Sequence, residues 1–244
     1  MEPTFNVFLV TVFILILSFV GILSGFGIAT SLVPFFALFI PFTQAILFVG
    51  IMHWLNNVWR LILFRKGIEI PLLIQFGIPG VITSFLGARI LLTTPTHIVL
   101  RTFGVFLALY ALLLIMRPAI KLQAKPITAI LGGICSGFAA GIFGMGGMVR
   151  SVFLAAFDLP KDTYLVTGAA IGFFVDLMRV VCYVLAGVRL HGYFLWGFAI
   201  IVPLSFIGAW IAKKYVVDYI PQEYFRSIVA VFFLFIGIKL IIWP

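Results

Sequence analysis

Long apolar stretches, separated by short breaks of glycine, proline and charged residues, run along the whole chain. The longest cover residues 6–24, 42–64, 96–116 and 223–242. About 20 apolar residues in a helix span the hydrocarbon core of a bilayer, so each stretch predicts a membrane-spanning helix. The pattern therefore predicts an all-α integral membrane protein that crosses the bilayer several times.

Composition supports a membrane environment. The chain has 244 residues, of which 64% are hydrophobic and only 9% are charged, so its polar surface is too small to cover a water-soluble globule. The net charge of +9 does not indicate nucleic-acid binding, because the Lys and Arg residues fall mostly at the ends of apolar segments. We expect membrane lipid, and no nucleic acid, as a partner.

The two halves of the chain resemble each other at an offset of about 119 residues that drifts upward along the sequence. Matching positions include Gly25 with Gly144, Gly27 with Gly146, Asn57 with Asp176, and Arg60 with Arg179. The consistent order of the matches indicates a duplication. We predict a first membrane repeat at residues 1–118, a cytoplasmic linker at 119–126 and a second repeat at 127–244.

Each half divides into five apolar segments. They cover residues 5–24, 28–40, 42–64, 70–92 and 96–116 in the first half, and 127–143, 148–157, 163–186, 192–212 and 222–242 in the second. The second segment of each half is short enough to cover only about half of the bilayer core. We predict that the first two segments form a hairpin broken at glycines, followed by three spanning helices.

The distribution of positive charge predicts the orientation of the halves. Basic residues lie in the loops after the third segment of the first half, in the linker and after the fourth segment of the second half. Placing these loops in the cytoplasm puts both termini outside and makes the two halves inverted repeats. Arg189, in a predicted outer loop, counts against this orientation.

The glycine-rich break in each hairpin is a predicted substrate-binding site. Interrupted helices leave unpaired backbone N–H groups, and a helix N-terminus carries about half a positive charge, so such breaks favour anions. The residues expected to contact substrate are Gly25, Gly27, Thr30 and Ser31 in the first half, and Gly144, Gly146 and Gly147 in the second. Alternatively, the glycines only allow helices to pack closely.

Arg150 strengthens the prediction of an anion site. It lies near the start of a short predicted helix, where a positive charge opposes the helix dipole, and no acid is near it in sequence. A bound substrate anion would be its partner. The alternatives are that Arg150 extends to the membrane interface or pairs with Asp176 of the next segment.

Asn57 with Arg60, and Asp176 with Arg179, form a pattern that occurs once in each half. Residues three apart share one face of a helix. Each arginine lies roughly 25 Å into the core by residue count, near opposite membrane faces. We expect gating or coupling by these four residues through ion pairs and hydrogen bonds, with direct substrate contact as the alternative.

His53 lies roughly 16 Å into its predicted helix, close to the bilayer midplane. An imidazole titrates near neutral pH, so His53 would suit substrate binding or a proton-linked step. The alternative is a histidine that only packs between helices. The other two His and the two Cys are scattered, which argues against a metal or cofactor site and against a membrane-bound enzyme.

The glycine-rich hairpin, its partner in the first half and the twofold repetition resemble the TauE/SafE family of sulfite exporter-like permeases. The residues that carry the resemblance are Gly144, Gly146 and Gly147 in the second half, and Gly25, Gly27 and Pro34 in the first. Two positions depart from the family pattern. Phe153 stands where a proline is expected, and Ile28-Ala29 stand where glycines are expected.

The resemblance implies a secondary transporter of a small sulfur-containing anion, such as sulfite, thiosulfate or an organosulfonate, linked to the proton gradient. We expect alternating access between two inverted halves in the inner (plasma) membrane, without a cofactor. The expected partners are the anionic substrate and membrane lipids, and a homodimer is left open. A passive anion channel is the main alternative function, and a membrane-bound enzyme is a more distant one.

Overall fold

The computed structural model is all-helical over the residues it describes, which are 29–38, 40–63, 67–116, 122–190, 203 and 222–244. The helices are α1 (Ala29–Phe36), α2 (Phe42–Leu63), α3 (Ile70–Thr93), α4 (Thr96–Met116), α5 (Pro126–Phe143), α6 (Gly146–Leu154), α7 (Lys161–Leu185) and α8 (Gln222–Ile242). A 3-10 turn, Ala155–Phe157, follows α6. Within these residues, helices α2, α3, α4, α5 and α7 are long and apolar enough to cross a membrane.

The prediction of an all-α protein with several membrane-spanning helices is confirmed. The third, fourth and fifth predicted segments of the first half correspond to α2, α3 and α4, and their ends agree within one residue. In the second half, α5, α6, α7 and α8 match the first, second, third and fifth segments. The predicted segment at 5–24 lies outside the described residues, as do Gly25, Gly27 and, apart from residue 203, the predicted segment at 192–212.

Helix α5 ends at a glycine that turns the chain back on itself. Gly144 adopts a left-handed conformation (φ +73°), and its N–H donates to the Ala140 carbonyl, which closes the helix. A Cβ atom at Gly146 would overlap the Ser136 carbonyl, and a Cβ at Gly132 would lie 2.6 Å from the Phe153 Cβ. Helix α6 therefore runs back alongside α5 as the second arm of a hairpin.

Glycines bring α3 and α5 into backbone contact. If Gly133, Gly137 and Gly141 of α5 carried Cβ atoms, these would overlap the carbonyl oxygens of three α3 residues, Phe76, Gly80 and Ser84 respectively. Residue numbers rise in the same direction along this contact in both helices, so α3 and α5 are parallel. We call this contact the glycine seam, and such close contact through small residues is typical of membrane helices.

Two other helices, α4 and α8, pack in opposite directions. Gly104 of α4 and Gly237 of α8 face each other, and a Cβ at either glycine would meet the other's carbonyl oxygen at 2.7–2.8 Å. Farther along the same pair, Tyr110 of α4 packs near Phe233 of α8, with ring centroids 6.1 Å apart. Residue numbers therefore rise along α4 as they fall along α8, which makes these helices antiparallel.

Helices α3, α5 and α7 begin at the same end of the bundle. The backbone N–H of Glu69, just before α3, donates to the Thr167 hydroxyl in the second turn of α7 at 3.0 Å. Farther along, the Ser84 hydroxyl of α3 donates to the Val175 carbonyl of α7 at 3.0 Å, so α3 and α7 are parallel. We call the end where these three helices begin the Glu69 end.

The buried side chains form two apolar clusters with a polar contact between them. The larger cluster comes mainly from α1, α2, α4 and α8, around residues such as Phe48, Phe103 and Phe233, with smaller contributions from α3, α5, α6 and α7. The smaller one joins α3, α5 and α7 around Phe76 and Ile171. Helices α2 and α7 meet between the clusters, and we call their contact the polar seam because it holds most of the buried charge.

Candidate functional site

The polar seam buries charged and polar side chains that are rarely found in a membrane interior. Asp176 is 3% exposed, Arg179 is 0% exposed, and Asn57 is 5% exposed. An isolated charge in such a place costs several kcal/mol, as an order of magnitude, so it requires partners. The pairing of these residues therefore determines which charges at the site are already compensated.

The Asp176 carboxylate is the centre of a hydrogen-bond network. Arg179 donates from Nε to Oδ1 at 2.8 Å, and its Nη2 lies 2.7 Å from the same oxygen. Asn57 donates from Nδ2 to Oδ2 at 2.9 Å, and His53 Nδ1 lies 3.4 Å from that oxygen. Both carboxylate oxygens therefore have close partners, and Arg179 compensates the charge of Asp176.

Gly172 of α7 has no side chain, and this leaves space for the side chains of Asn57 and Arg150. A Cβ atom there would lie 2.6 Å from Asn57 Nδ2 and 2.9 Å from Arg150 Nη2. Any larger residue at position 172 would displace one or both groups. Arg150 on α6 therefore points into the polar seam and not toward the membrane interface.

Arg60 and Arg150 are not paired with an acid in the described part of the chain. Arg60 on α2 is near enough to Arg150 for their charges to repel, and the phenol of Tyr164 is close to both. The Asp176 carboxylate attracts the Arg150 guanidinium, but Asp176 forms its ion pair with Arg179. The alternative in which Arg150 pairs with Asp176 is therefore not what the structure shows.

Arg179 connects the polar seam to the glycine break between α5 and α6. A Cβ at Gly144 would lie 3.1 Å from Arg179 Nη1, and a Cβ at Gly50 of α2 would lie 3.6 Å from the same atom. Tyr183, close to the guanidinium, donates its hydroxyl hydrogen to the Gly141 carbonyl. The buried guanidinium is thereby held against the end of α5.

The residues predicted at the glycine breaks fall into three groups. Gly144 lies against Arg179 and against Val33 of α1, so it adjoins the polar seam. The α-carbon of Gly146 packs closely against α5. The backbone N–H groups of Gly146 and Gly147 are in the first turn of α6 and therefore have no acceptors inside that helix. Thr30 and Ser31 belong to α1, and their side chains are outside what the structure describes.

The structure thus brings together all four residues predicted for gating or coupling and two of those predicted for substrate contact, His53 and Arg150. His53, Asn57 and Arg60 come from one face of α2, Arg150 comes from α6, and Asp176 and Arg179 come from α7. We define the cationic cluster as Arg60, Arg150 and Arg179 together with Asp176, Asn57, His53 and Tyr164.

Sequence reasoning missed two residues of this site, Gly172 and Tyr164. The predicted repeat contained a signal for Gly172, because the offset of 119 residues between Asn57 and Asp176 also aligns Gly172 with His53 in the sequence. A glycine that aligns with a bulky polar residue of the other half indicates a position where space is left for that half's side chains. Tyr164 has no comparable signal, since it is a single aromatic residue in the first turn of a long apolar helix.

Metal binding finds no support in the same residues. Among the residues that the structure describes, no three His, Cys, Asp or Glu side chains come together in a way that would hold a metal ion. Cys135 is exposed on α5, and Cys182 is partly buried on α7.

Comparison with known proteins identifies a family of transporters. The family model described as sulfite exporter TauE/SafE matches residues 10–240, which is nearly the whole chain. Neither the curated proteins nor the solved structures gave a match. The match covers both halves, including all the helices that build the cationic cluster, and the chain is therefore a member of the sulfite exporter TauE/SafE family of membrane proteins.

Proposed function

We propose that the chain is a secondary transporter of a small sulfur-containing oxyanion and that the cationic cluster binds this substrate. Sulfite, thiosulfate and organosulfonates are the candidates that the family suggests. The observation that carries the proposal is the uncompensated charge of Arg60 and Arg150, which repel each other and have no acid of their own among the described residues.

A bound oxyanion would supply the missing partner of these arginines. Two guanidinium groups that converge inside a membrane protein are unfavourable until an anion neutralises them. Guanidinium groups also donate in pairs to planar or tetrahedral oxyanions, which gives geometric specificity as well as energy. Arg150 Nη2 and Asn57 Nδ2 meet at Gly172, so an anion at this point would have donors from both α6 and α2.

Access to the cluster is proposed from the Glu69 end. Arg60, Arg150 and Tyr164 are partly exposed, whereas Asp176 and Arg179 are buried farther along α7. The basic residues of the sequence cluster before α3 and α5, which favours a cytoplasmic Glu69 end and a cytoplasmic linker at 119–126. In this proposal the protein lies in the inner membrane, with both termini external.

Alternating access between two inverted halves is the proposed mechanism. Equivalent segments of the two halves lie side by side, as α2 against α7 and α4 against α8. The equivalent residues Asn57 and Asp176 are hydrogen-bonded to each other, as expected of positions near a twofold axis between repeats. These contacts support a motion in which one half rocks against the other around the cationic cluster.

Proton coupling is proposed at His53 and Asp176. The imidazole Nδ1 lies 3.4 Å from the carboxylate, close enough for a proton on the ring to strengthen the contact and tie α2 to α7. Release of that proton would loosen the polar seam. A change in protonation would thereby bias the position of the two halves.

Transport into lipid vesicles tests the proposal. Purified protein in proteoliposomes is expected to accumulate labelled sulfite above equilibrium when a pH gradient is imposed. Arg150→Gln should lower the initial rate at least tenfold, as an order of magnitude, because the anion loses its central cation. Arg101→Gln, the same change at an exposed arginine of α4, is the control and should transport normally.

Two outcomes would overturn parts of the proposal. Uptake that equilibrates but never exceeds equilibrium under any pH gradient would indicate a passive anion channel. Equal rates for the Arg150→Gln and Arg101→Gln proteins would mean that the substrate binds somewhere other than the cationic cluster.

A further inference from the structure

The charges of the cationic cluster do not balance. Among the residues that the structure describes, Arg60 on α2, Arg150 on α6 and Arg179 on α7 are opposed by one carboxylate, Asp176 of α7. His53 is the other titratable group of α2 that faces Asp176, and Tyr164 is the group of α7 that faces Arg60 and Arg150. With the imidazole neutral, the side chains of the cluster carry an excess of two positive charges.

The geometry assigns the excess charge to one part of the cluster. Arg179 contacts Asp176 through both Nε and Nη2, so this pair is neutral as a unit. Arg150 reaches Gly172 beside Asn57, on the side of Asp176 that faces the Glu69 end, and Arg60 repels it there. Arg60 lies three residues after Asn57 on the same face of α2, so both guanidinium groups without an ion pair among the described residues are on this side of the polar seam.

We propose that the cationic cluster selects divalent oxyanions over monovalent ones. This inference rests on the proposed function, because it concerns the substrate of the same site. A divalent anion neutralises both Arg60 and Arg150, whereas a monovalent anion leaves one guanidinium uncompensated in a low-dielectric interior. Thiosulfate, sulfate and the fully ionised form of sulfite belong to the favoured class, and alkylsulfonates belong to the disfavoured one.

Shape alone would not produce this preference. Thiosulfate and methanesulfonate are both compact and tetrahedral at sulfur, and both present three oxygens to hydrogen-bond donors. They differ mainly in charge, because thiosulfate has two negative charges near neutral pH and methanesulfonate has one. A comparison of these two ligands therefore isolates the charge of the site from its size.

Binding measurements on the purified full-length protein in detergent test the inference. Thiosulfate is expected to bind at least about tenfold more tightly than methanesulfonate at constant ionic strength. Arg60→Gln should weaken thiosulfate binding by about tenfold or more and methanesulfonate binding by less than about threefold, so that the preference collapses. Arg60→Lys keeps the charge and should retain the preference, and Arg101→Gln should alter neither affinity.

The possible outcomes separate this inference from the proposed function. Equal affinities for the two ligands in the wild-type protein, with labelled sulfite still transported, would overturn the charge preference and leave the transporter intact. A preference that persists in Arg60→Gln would also overturn it, because Arg60 would then not supply the second charge. Absence of binding by either ligand, together with absence of sulfite transport, would overturn both proposals.

Discussion

The polar seam between α2 and α7 and the glycine seam between α3 and α5 both join the two halves of the chain, by opposite means. In the glycine seam, backbone meets backbone, and Gly137 lies so close to the Gly80 carbonyl that no side chain fits. In the polar seam, side chains hold the helices through a carboxylate, a guanidinium and an amide. One contact is fixed by shape and the other by charge.

This difference separates the part of the molecule suited to scaffolding from the part suited to change. Close packing of small residues has one preferred arrangement and responds little to protonation or ligands. A network built on one buried carboxylate depends on the charge of every member. An arriving anion or proton therefore acts on the polar seam, while the glycine seam keeps α3 and α5 together.

The largest expected effect comes from removing the charge of Asp176. Asp176→Asn keeps the size of the side chain but leaves Arg179 as an uncompensated buried cation, which should lower the free energy of unfolding by about 3–5 kcal/mol. The double variant Asp176→Asn with Arg179→Gln removes both charges and should recover part of this loss. Unfolding by SDS titration in mixed micelles measures both variants.

A polar seam held by shape would give a different result. In that case Asp176→Asn would be as stable as the wild-type protein, or the double variant would be less stable than Asp176→Asn alone. Either result would contradict the assignment of Asp176 and Arg179 as a neutral pair.

A smaller loss is expected from one added methyl group in the glycine seam. Gly137→Ala places a Cβ against the Gly80 carbonyl and the Thr83 hydroxyl, so the helices must separate, at a cost of about 1–3 kcal/mol. Gly77→Ala is the matched control in α3, where the nearest contact of the new Cβ would be the Leu73 side chain at 3.7 Å.

The control should be neutral or more stable than the wild-type protein, since alanine favours a helix over glycine by up to about 1 kcal/mol. Thermal unfolding followed by size-exclusion chromatography measures both variants. If Gly137→Ala were as stable as Gly77→Ala, the close approach of α3 and α5 would not be required for the fold.

The sequence predicted the helices well because apolar length and glycine or proline breaks are local signals. The predicted repeat aligned Asn57 with Asp176, and the structure joins these two residues by a hydrogen bond. The three-residue spacing of Asp176 and Arg179 also predicted that they can pair on one helix face, and the structure shows this ion pair. The place of Arg150 could not be predicted in the same way, because it depends on the position of α6 beside α7, a tertiary feature without a local signal.

The smallest effect on stability, and the sharpest test of coupling, is expected at His53. The distance of 3.4 Å between His53 Nδ1 and Asp176 Oδ2 exceeds that of a strong hydrogen bond, so His53→Gln should lower the free energy of unfolding by less than about 1 kcal/mol. If the imidazole receives the coupling proton, however, the same variant should lose the pH dependence of sulfite uptake while still exchanging sulfite across the membrane.

His97→Gln, at an exposed histidine of α4, is the control and should keep the wild-type pH profile. Initial rates measured across a pH series in proteoliposomes distinguish the two variants, and a wild-type profile in His53→Gln would remove the imidazole from the coupling step while leaving Asp176 as the group to test.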